Sequence, residues 1–308
     1  MKRLQNRIAE SGLILPVAAV YTVVIWLLAG LVTYNLWPQL ACLTASAYLF
    51  VEISNSNALL RVRSRMVTTT FLFLTCLYPE GFSSLSGSFT QLTFIVSILL
   101  LFNTYQDKQS MGKYFYAFLC IGLCSLKYVH ILYLVPVLWL LMETQMQSLS
   151  LRTLSASIIG LITPYWFLAL WFIYIQDFTL VVQHFEQLGV FEFPCDYTQI
   201  TPGQLLVYFF LLVLSVWSII HFWHTSYEDK IRTRLLYGFF MLMTLLVMLF
   251  IALQPQHFDS LIRIVIICAS PLVAHLLTLT SSRITNIAFF VVLAICLFIT
   301  VFNLWTLL

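Results

Sequence analysis

Residues 114–142 read YFYAFLCIGLCSLKYVHILYLVPVLWLLM, a stretch that is apolar at nearly every position but carries Lys127 and His130 near its centre. As one helix, its 29 residues would extend about 44 Å at ~1.5 Å per residue, beyond the ~30 Å hydrocarbon layer of a membrane. Two short helices that turn at 127–130 would instead bring both polar side chains to an interface. The stretch therefore predicts a hairpin of two short helices.

The charges that flank this stretch support the hairpin. A hairpin places Lys113 and Arg152 on one side of the membrane, which is the cytoplasmic side, where Lys and Arg are enriched. A single span would move Arg152 to the outside and, by parity, the later cluster of Lys230, Arg232 and Arg234 as well.

The composition is that of an integral membrane protein. Of the 308 residues, 61% are hydrophobic and only 9% are charged. We expect an all-α polytopic bundle that forms a single membrane domain over residues 1–308. Only Cys195, of seven cysteines, lies in a predicted external loop, so no disulfide framework is expected. The basic N-terminus leads into an apolar span without a small-residue cleavage site, which favours an uncleaved anchor.

The apolar segments predict about eleven membrane helices, with the N-terminus in the cytoplasm. They span residues 13–35, 40–54, 66–78, 88–103, 114–126, 130–142, 153–175, 204–223, 235–253, 261–279 and 286–307. Thirteen of the fifteen lysines and arginines then lie in cytoplasmic segments, and only Lys127 and Arg263 lie outside.

The predicted external face is acidic. It carries six of the twelve carboxylates, namely Glu80, Asp177, Glu186, Glu192, Asp196 and Asp259. This pattern fits either a function at that face or the weak constraint that membrane orientation places on acidic residues.

The longest predicted loop covers residues 176–203, QDFTLVVQHFEQLGVFEFPCDYTQITPG. Its apolar residues Phe178, Val181, Val182, Phe185 and Leu188 recur at helical spacing, which predicts an amphipathic helix at the outer interface. Such a helix would either roof a cavity that receives a lipid substrate or seal an edge of the bundle.

Two polar patterns on the predicted cytoplasmic side each have two interpretations. His221 and His224 resemble a metal pair, but no third ligand is near, and an interfacial aromatic belt explains them better. The polar run after Glu52 leads to Arg61, Arg63 and Arg65, and this segment either binds a lipid phosphate or is an ordinary cytoplasmic loop.

Lys127, His130 and Arg263 are the candidate phosphate ligands. A cation at the centre of a membrane helix costs ~2.5–3.5 kcal/mol on insertion scales, so such residues usually face a partner or a wet cavity. Together they would bind the phosphate of a polyprenyl-linked donor, Arg263 bidentately and Lys127 as a point charge. The alternative is snorkelling to lipid headgroups, or an ion pair of Arg263 with Asp259 four residues earlier.

Glu80, Asp196 and Asp259 are the candidate catalytic residues. If a sugar is transferred at the external face, a carboxylate must take the proton of the acceptor while cations stabilise the leaving phosphate. Glu80 lies in the turn 78–81, Tyr-Pro-Glu-Gly, at a fixed position, although this sequence is also simply a good turn.

The chain resembles two families, the first over most of its length and the second over its middle. The run GKYFYAFLCIGLCSLKYVHILYLVPVLWLLM, with its lead-in NTYQDKQSM and its sequel LRTLSASIIGLITPYWFLALWFIYI, resembles an uncharacterised family of polytopic inner-membrane proteins of Bacteroidota. A Gly-Leu-x-Ser-Leu helix, a short Pro-containing helix and a Gly-Leu-x-x-Pro-Tyr helix also resemble the membrane module of GT-C glycosyltransferases, over residues 40–175.

The GT-C resemblance implies an enzyme that uses a polyprenyl-phosphate sugar on the external side, with an acidic residue in the first external loop. That loop, 36–39, is Leu-Trp-Pro-Gln and contains neither Asp nor Glu. Glu80, in the next external loop, is the nearest substitute.

The sequence thus favours a GT-C-like protein that handles a polyprenyl-linked sugar in envelope glycan or glycoprotein assembly. The alternatives are a non-catalytic subunit or scaffold of an envelope assembly, and a transporter or lipid-linked sugar flippase. The expected partners are membrane lipids, a polyprenyl-linked sugar and other envelope membrane proteins, but not nucleic acid. No metal site is predicted, and no motif identifies a cofactor.

Overall fold

A computed structural model describes residues 4–176, 179–189, 197, 200–279 and 283–307. Within these ranges the chain is helical and contains no β-strand. The α-helices are α1 (Leu4–Glu10), α2 (Ile14–Leu28), α3 (Trp37–Asn57), α4 (Met66–Thr75), α5 (Leu85–Phe102), α6 (Met111–Ser125), α7 (Leu134–Thr144), α8 (Leu151–Ile175), α9 (Thr179–Gly189), α10 (Pro202–Thr225), α11 (Ile231–Leu253), α12 (Phe258–Leu279) and α13 (Arg283–Leu307). Turns of 3-10 helix cover Pro79–Ser83, Val129–Tyr133, Ser226–Glu228 and Pro255–His257.

Each of the eleven predicted segments falls on a helix. Six helices in the described part of the chain, α5, α8 and α10 to α13, are long and apolar enough to cross a membrane, and four shorter apolar segments accompany them. The all-α prediction is therefore confirmed for the described residues, and the six long apolar helices support a multi-pass membrane protein. The number of helices that cross the membrane stays a prediction.

The chain forms two compact units by its internal contacts. Unit 1 consists of residues 1–88 and 197–308, and unit 2 consists of residues 89–196. The prediction of a single membrane domain stays a prediction.

Helix α12 is the centre of unit 1. It packs against α1, α4, α10 and α11, and every residue from Leu261 to Thr278 is buried. A helix that is apolar on all sides is normally a core helix, and α12 has no charged or histidine side chain other than Asp259, Arg263 and His275 near its ends. These three polar residues therefore mark the two ends of unit 1.

The loops of unit 1 that the sequence places outside meet at one of these ends. Gln39 donates from Nε2 to the carbonyl of Ser83 at 3.3 Å, and Asn303 donates from Nδ2 to the carbonyl of Leu77 at 2.7 Å. At the opposite end, Gln5 of α1 donates to the carbonyl of Leu277. The relative placement of these loops agrees with the predicted topology, whereas the end that faces the cytoplasm stays a prediction.

Unit 2 contains the predicted hairpin. Helix α6 ends at Ser125 and α7 begins at Leu134, so the break falls where the sequence predicted it. The hydroxyl of Tyr114 at the start of α6 lies against the hydroxyl of Ser148 beyond the end of α7, and midway the rings of Phe118 and Trp139 stack with centroids 6.4 Å apart. The two helices are therefore antiparallel.

Two glycines allow α6 and α8 to pack backbone to backbone in unit 2. A Cβ atom at Gly160 would lie 2.3 Å from the carbonyl oxygen of Phe115, and one at Gly122 would lie 2.6 Å from that of Leu161. Small residues at a helix crossing are typical of membrane bundles, because they let two backbones approach.

Candidate functional site

One end of unit 1 brings together three of the predicted site residues. Glu80 lies in the turn Pro79–Ser83, while Asp259 and Arg263 lie in the first turns of α12. We call this region, with Tyr78, Thr201 and Gln204, the polar end of unit 1. The last three residues were not predicted from the sequence.

Glu80 is held by the start of α10. Its carboxylate accepts hydrogen bonds from Gln204 Nε2 at 3.2 Å and from the Thr201 hydroxyl at 3.4 Å. Thr201 and Gln204 also cap α10 reciprocally, each accepting the backbone N–H of the other at 3.2 Å. Because this capping box fixes both donors, the partly exposed carboxylate of Glu80 has a defined position.

Gln204 links Glu80 to a buried tyrosine. The same Nε2 atom that donates to Glu80 also lies 3.3 Å from the hydroxyl oxygen of Tyr78, to which it donates. The ring of Tyr78 packs edge-on against Phe258 at the start of α12, with centroids 5.6 Å apart. The turn that carries Glu80 is thus attached to both α10 and α12.

Arg263 is buried and bound by protein atoms. It is 6% exposed, and its guanidinium donates to the carbonyl of Gly81, to Ser88 Oγ at 3.4 Å and to Asp259 Oδ1 at 3.3 Å. The ion pair with Asp259, which the sequence left as an alternative, is therefore present. Contact of Arg263 with a substrate phosphate stays a prediction.

Gly81 and Gly87 leave the space that Arg263 fills. A Cβ atom at Gly87 would lie 2.5 Å from Arg263 Nε and 2.9 Å from Asp259 Oδ2, and one at Gly81 would lie 2.9 Å from Arg263 Nη2. The side chain of Asp259, which forms an ion pair with this arginine, is 36% exposed. The polar end therefore presents two partly exposed carboxylates with a buried cation beside one of them.

The other predicted phosphate ligands lie in unit 2, at the turn of the hairpin. Lys127 is exposed, whereas His130 is 9% exposed and its Nε2 lies 3.0 Å from the carbonyl oxygen of Gln187 in α9. The Tyr133 hydroxyl donates to the next carbonyl, that of Leu188. These contacts satisfy carbonyl groups in the last turn of α9, so His130 positions this helix.

Helix α9 lies where the sequence predicts a helix in the loop 176–203, and its position at the outer interface of a membrane stays a prediction. Its apolar Val182 and Phe185 are 54% and 41% exposed, as expected for a helix that contacts lipid. Asp177, Phe178 and the catalytic candidate Asp196 lie outside the described residues, and their predicted roles stay predictions.

The opposite end of unit 1 contains an ion cluster that sequence reasoning missed. Asp229 Oδ1 accepts from Arg61 Nε at 2.7 Å, and Asp229 Oδ2 lies 3.1 Å from His275 Nε2. Arg61 also pairs with the more exposed Glu228. Burial by itself raises the pKa of Asp229, but the hydrogen bond and charge of His275 and the charge of Arg61 outweigh it and hold this pKa below its ordinary value.

The histidines near this cluster lie close to each other. The ring of His221 lies 5.7 Å from that of His275, centroid to centroid. In the part of the chain that the structure describes, no three His, Cys, Asp or Glu side chains are grouped as metal ligands.

Comparisons with known proteins give no relative for this chain. No protein-family model matches the sequence, and neither a curated protein nor a solved structure matches it. The resemblances to the Bacteroidota family and to GT-C enzymes therefore stay expectations.

Proposed function

We propose that the protein is a multi-pass enzyme of the bacterial inner membrane that transfers a sugar from a polyprenyl-phosphate carrier. In this proposal eleven helices enter the membrane, the N-terminus is cytoplasmic, and the polar end of unit 1 faces outward. The observation that supports it best is Glu80, a partly exposed carboxylate held by Thr201 and Gln204. A base with a fixed position is what such a transfer requires.

The proposed reaction is a displacement at the anomeric carbon. Glu80 takes the proton of the acceptor hydroxyl while the acceptor oxygen bonds to the anomeric carbon. The bond from that carbon to the phosphate oxygen breaks, and the electron pair leaves with the polyprenyl phosphate. Asp259 is the second carboxylate at this end, and its ion pair with Arg263 holds it in place.

In this proposal Arg263 has a different role from Lys127 and His130. Arg263 is a positioning residue for Asp259 and for the turn that contains Glu80, since its donors contact Asp259 and the Gly81 carbonyl. Phosphate binding by Lys127 and His130 stays the prediction made from the residues of the sequence.

The proposal is tested by measuring the carrier itself. We expect cells that lack the gene to accumulate one polyprenyl-phosphate sugar, measured by mass spectrometry of lipid extracts, and a plasmid copy of the gene to remove it. An unchanged pool in the deletion strain would contradict sugar transfer by this protein.

A second candidate function is that of a non-catalytic subunit of an envelope assembly. Helix α8 buries only the stripe of Thr153, Ser157, Gly160 and Pro164, which leaves a long apolar face exposed. The aromatic residues on this face are Trp166, Phe167, Trp171 and Tyr174. A large apolar surface on a membrane helix contacts either lipid or another membrane protein. An unchanged lipid pool, together with a stoichiometric membrane protein that co-purifies through α8, would favour this candidate.

A further inference from the structure

A polar pocket of about 330 Å³ lies in unit 1 at the end opposite to Glu80. Its walls are the turn between α1 and α2, the end of α3 and the segment that precedes α4. The lining residues are Glu10, Ser11, Gly12, Asn55, Arg63, Ser64 and Arg65. We call it the arginine pocket.

The guanidinium groups of the two arginines in this pocket have no partner in the described part of the chain. Arg61, in the same segment, is committed to Asp229 and Glu228. Arg63 and Arg65 are exposed, and the guanidinium group of neither makes a hydrogen bond or an ion pair with any residue that the structure describes. With Glu10, the lining has a formal charge of +1 and two planar guanidinium groups, which suits a phosphate better than a neutral ligand.

The hydroxyl groups in the lining have a different role. Ser11 Oγ accepts the backbone N–H of Leu13 at 3.2 Å, and Ser64 Oγ accepts that of Met66 at 3.2 Å while donating to the carbonyl of Ala9. These bonds fix the two chain segments that form the walls. The arginine pocket is therefore a built cavity in which the guanidinium groups of Arg63 and Arg65 remain available.

An apolar groove of about 280 Å³ continues from the same walls into the bundle. It lies between α2, α3 and α4, and its lining includes Ala19, Leu43, Ala47 and Leu72. Each wall passes from pocket to groove within about one helical turn, from Gly12 to Leu15, from Asn55 to Val51 and from Arg65 to Thr68. The polar and apolar cavities therefore adjoin end to end.

The length of the groove matches one lipid chain. Its lining on α3 runs from Leu40 to Val51, which is about 16 Å at ~1.5 Å per residue. This is close to half of the ~30 Å hydrocarbon thickness, the depth that an acyl chain of one leaflet fills.

We propose that the arginine pocket and this groove together bind one anionic phospholipid, with its phosphate at Arg63 and Arg65 and one acyl chain between α2, α3 and α4. Charge complementarity selects the headgroup, and the apolar groove selects a lipid over a free anion. The binding site is at the other end of unit 1 from Glu80, so it does not depend on the sugar-transfer proposal.

The test is a titration of the full-length protein, purified in a neutral detergent, with dioleoylphosphatidylglycerol, read out as the shift of the thermal unfolding midpoint. The double variant Arg63→Gln/Arg65→Gln should bind about 30-fold more weakly, since each arginine near a phosphate contributes about fivefold. The matched control is Arg152→Gln/Arg234→Gln, which removes the same charge from two exposed arginines that lie outside the pocket. It should retain wild-type affinity.

Two further measurements separate a lipid site from a simple anion site. Ala47→Trp places a bulky ring in the groove at a partly exposed position of α3, so we expect it to weaken lipid binding while the protein stays folded. Glycerol 3-phosphate at the same concentration should leave the midpoint unchanged. Equal binding of dioleoylphosphatidylcholine, equal loss in the control pair, wild-type affinity of Ala47→Trp, or a full shift with glycerol 3-phosphate would each overturn the proposal.

Discussion

At the scale of single residues, Asp229 is a buried carboxylate whose partners are Arg61 and His275. Its side chain is 1% exposed, and it lies between Arg61 and the fully buried His275. Removing one partner of a buried ion pair usually costs about 3–5 kcal/mol, because the remaining charge is left without compensation. Arg61 still reaches solvent, so we expect Asp229→Asn to cost less, about 2 kcal/mol, measured by denaturant unfolding in detergent. Glu228→Gln removes the exposed partner of the same Arg61 and should change little. Equal losses in both variants would contradict the buried cluster.

The pH dependence of stability follows from the same residue. Because the folded protein holds the pKa of Asp229 below its ordinary value of 3.8, this carboxylate stabilises the fold fully above that pH. The contribution is lost as the pH falls from there through the folded pKa. A thermal unfolding series below about pH 4 should therefore show a loss in the wild-type protein that is smaller in Asp229→Asn. Parallel curves for the two proteins would contradict the lowered pKa.

The sequence predicted some of these residues and missed others for physical reasons. Asp259 and Arg263 are one helical turn apart, so their pairing was visible as an alternative. Thr201 and Gln204 have the spacing of a capping box, a signal that could have been used but does not reveal contact with Glu80. Asp229 and His275 are 46 residues apart, and the only signal that could have been used is the cost of a lone histidine in an apolar helix, which calls for a partner without naming it.

At the scale of elements, the crossing of α6 and α8 depends on Gly160. A methyl group there would meet the backbone carbonyl of Phe115, which cannot move without shifting α6. We expect Gly160→Ala to cost about 1–3 kcal/mol, as overpacking does. Gly112→Ala is the control, because Gly112 is also in α6 but a Cβ atom there meets nothing within 4 Å. The two variants are compared by denaturant unfolding in detergent, and equal stability would contradict the close crossing.

The elements were predictable where polar residues interrupt the apolar sequence. Lys127 and His130 marked the break between α6 and α7, because a long apolar helix with a central cation is costly. The end of the first apolar segment was wrong: it was predicted to run to residue 35, but α2 ends at Leu28. Gly30 adopts a φ of 88°, a backbone conformation that glycine adopts readily and other residues rarely do. The apolar residues around Gly30 give no sequence signal for a turn at this position.

At the scale of the whole molecule, the orientation of the chain in the membrane decides which predicted site residues face outward. With Cys195 replaced by serine, a cysteine at the exposed Gln187 of α9 should be labelled from outside intact cells by an impermeant maleimide. A cysteine at Ser226, between α10 and α11, should be labelled only after permeabilisation. The parent protein, whose other described cysteines lie within or at the end of apolar helices, is the control. The reverse pattern would contradict the orientation.

The most direct test of sugar transfer is whether the carboxylate of Glu80 is needed for it. Cells without the gene would be complemented with the wild-type protein, with Glu80→Gln or with Glu52→Gln, an exposed carboxylate of α3 that lies outside the polar end. Membrane levels of each protein would be matched, and polyprenyl-phosphate sugars would be measured by mass spectrometry. We predict that wild type and Glu52→Gln restore the normal pool, while Glu80→Gln leaves the donor accumulated as in the deletion strain. Full restoration by Glu80→Gln would contradict its role as the base.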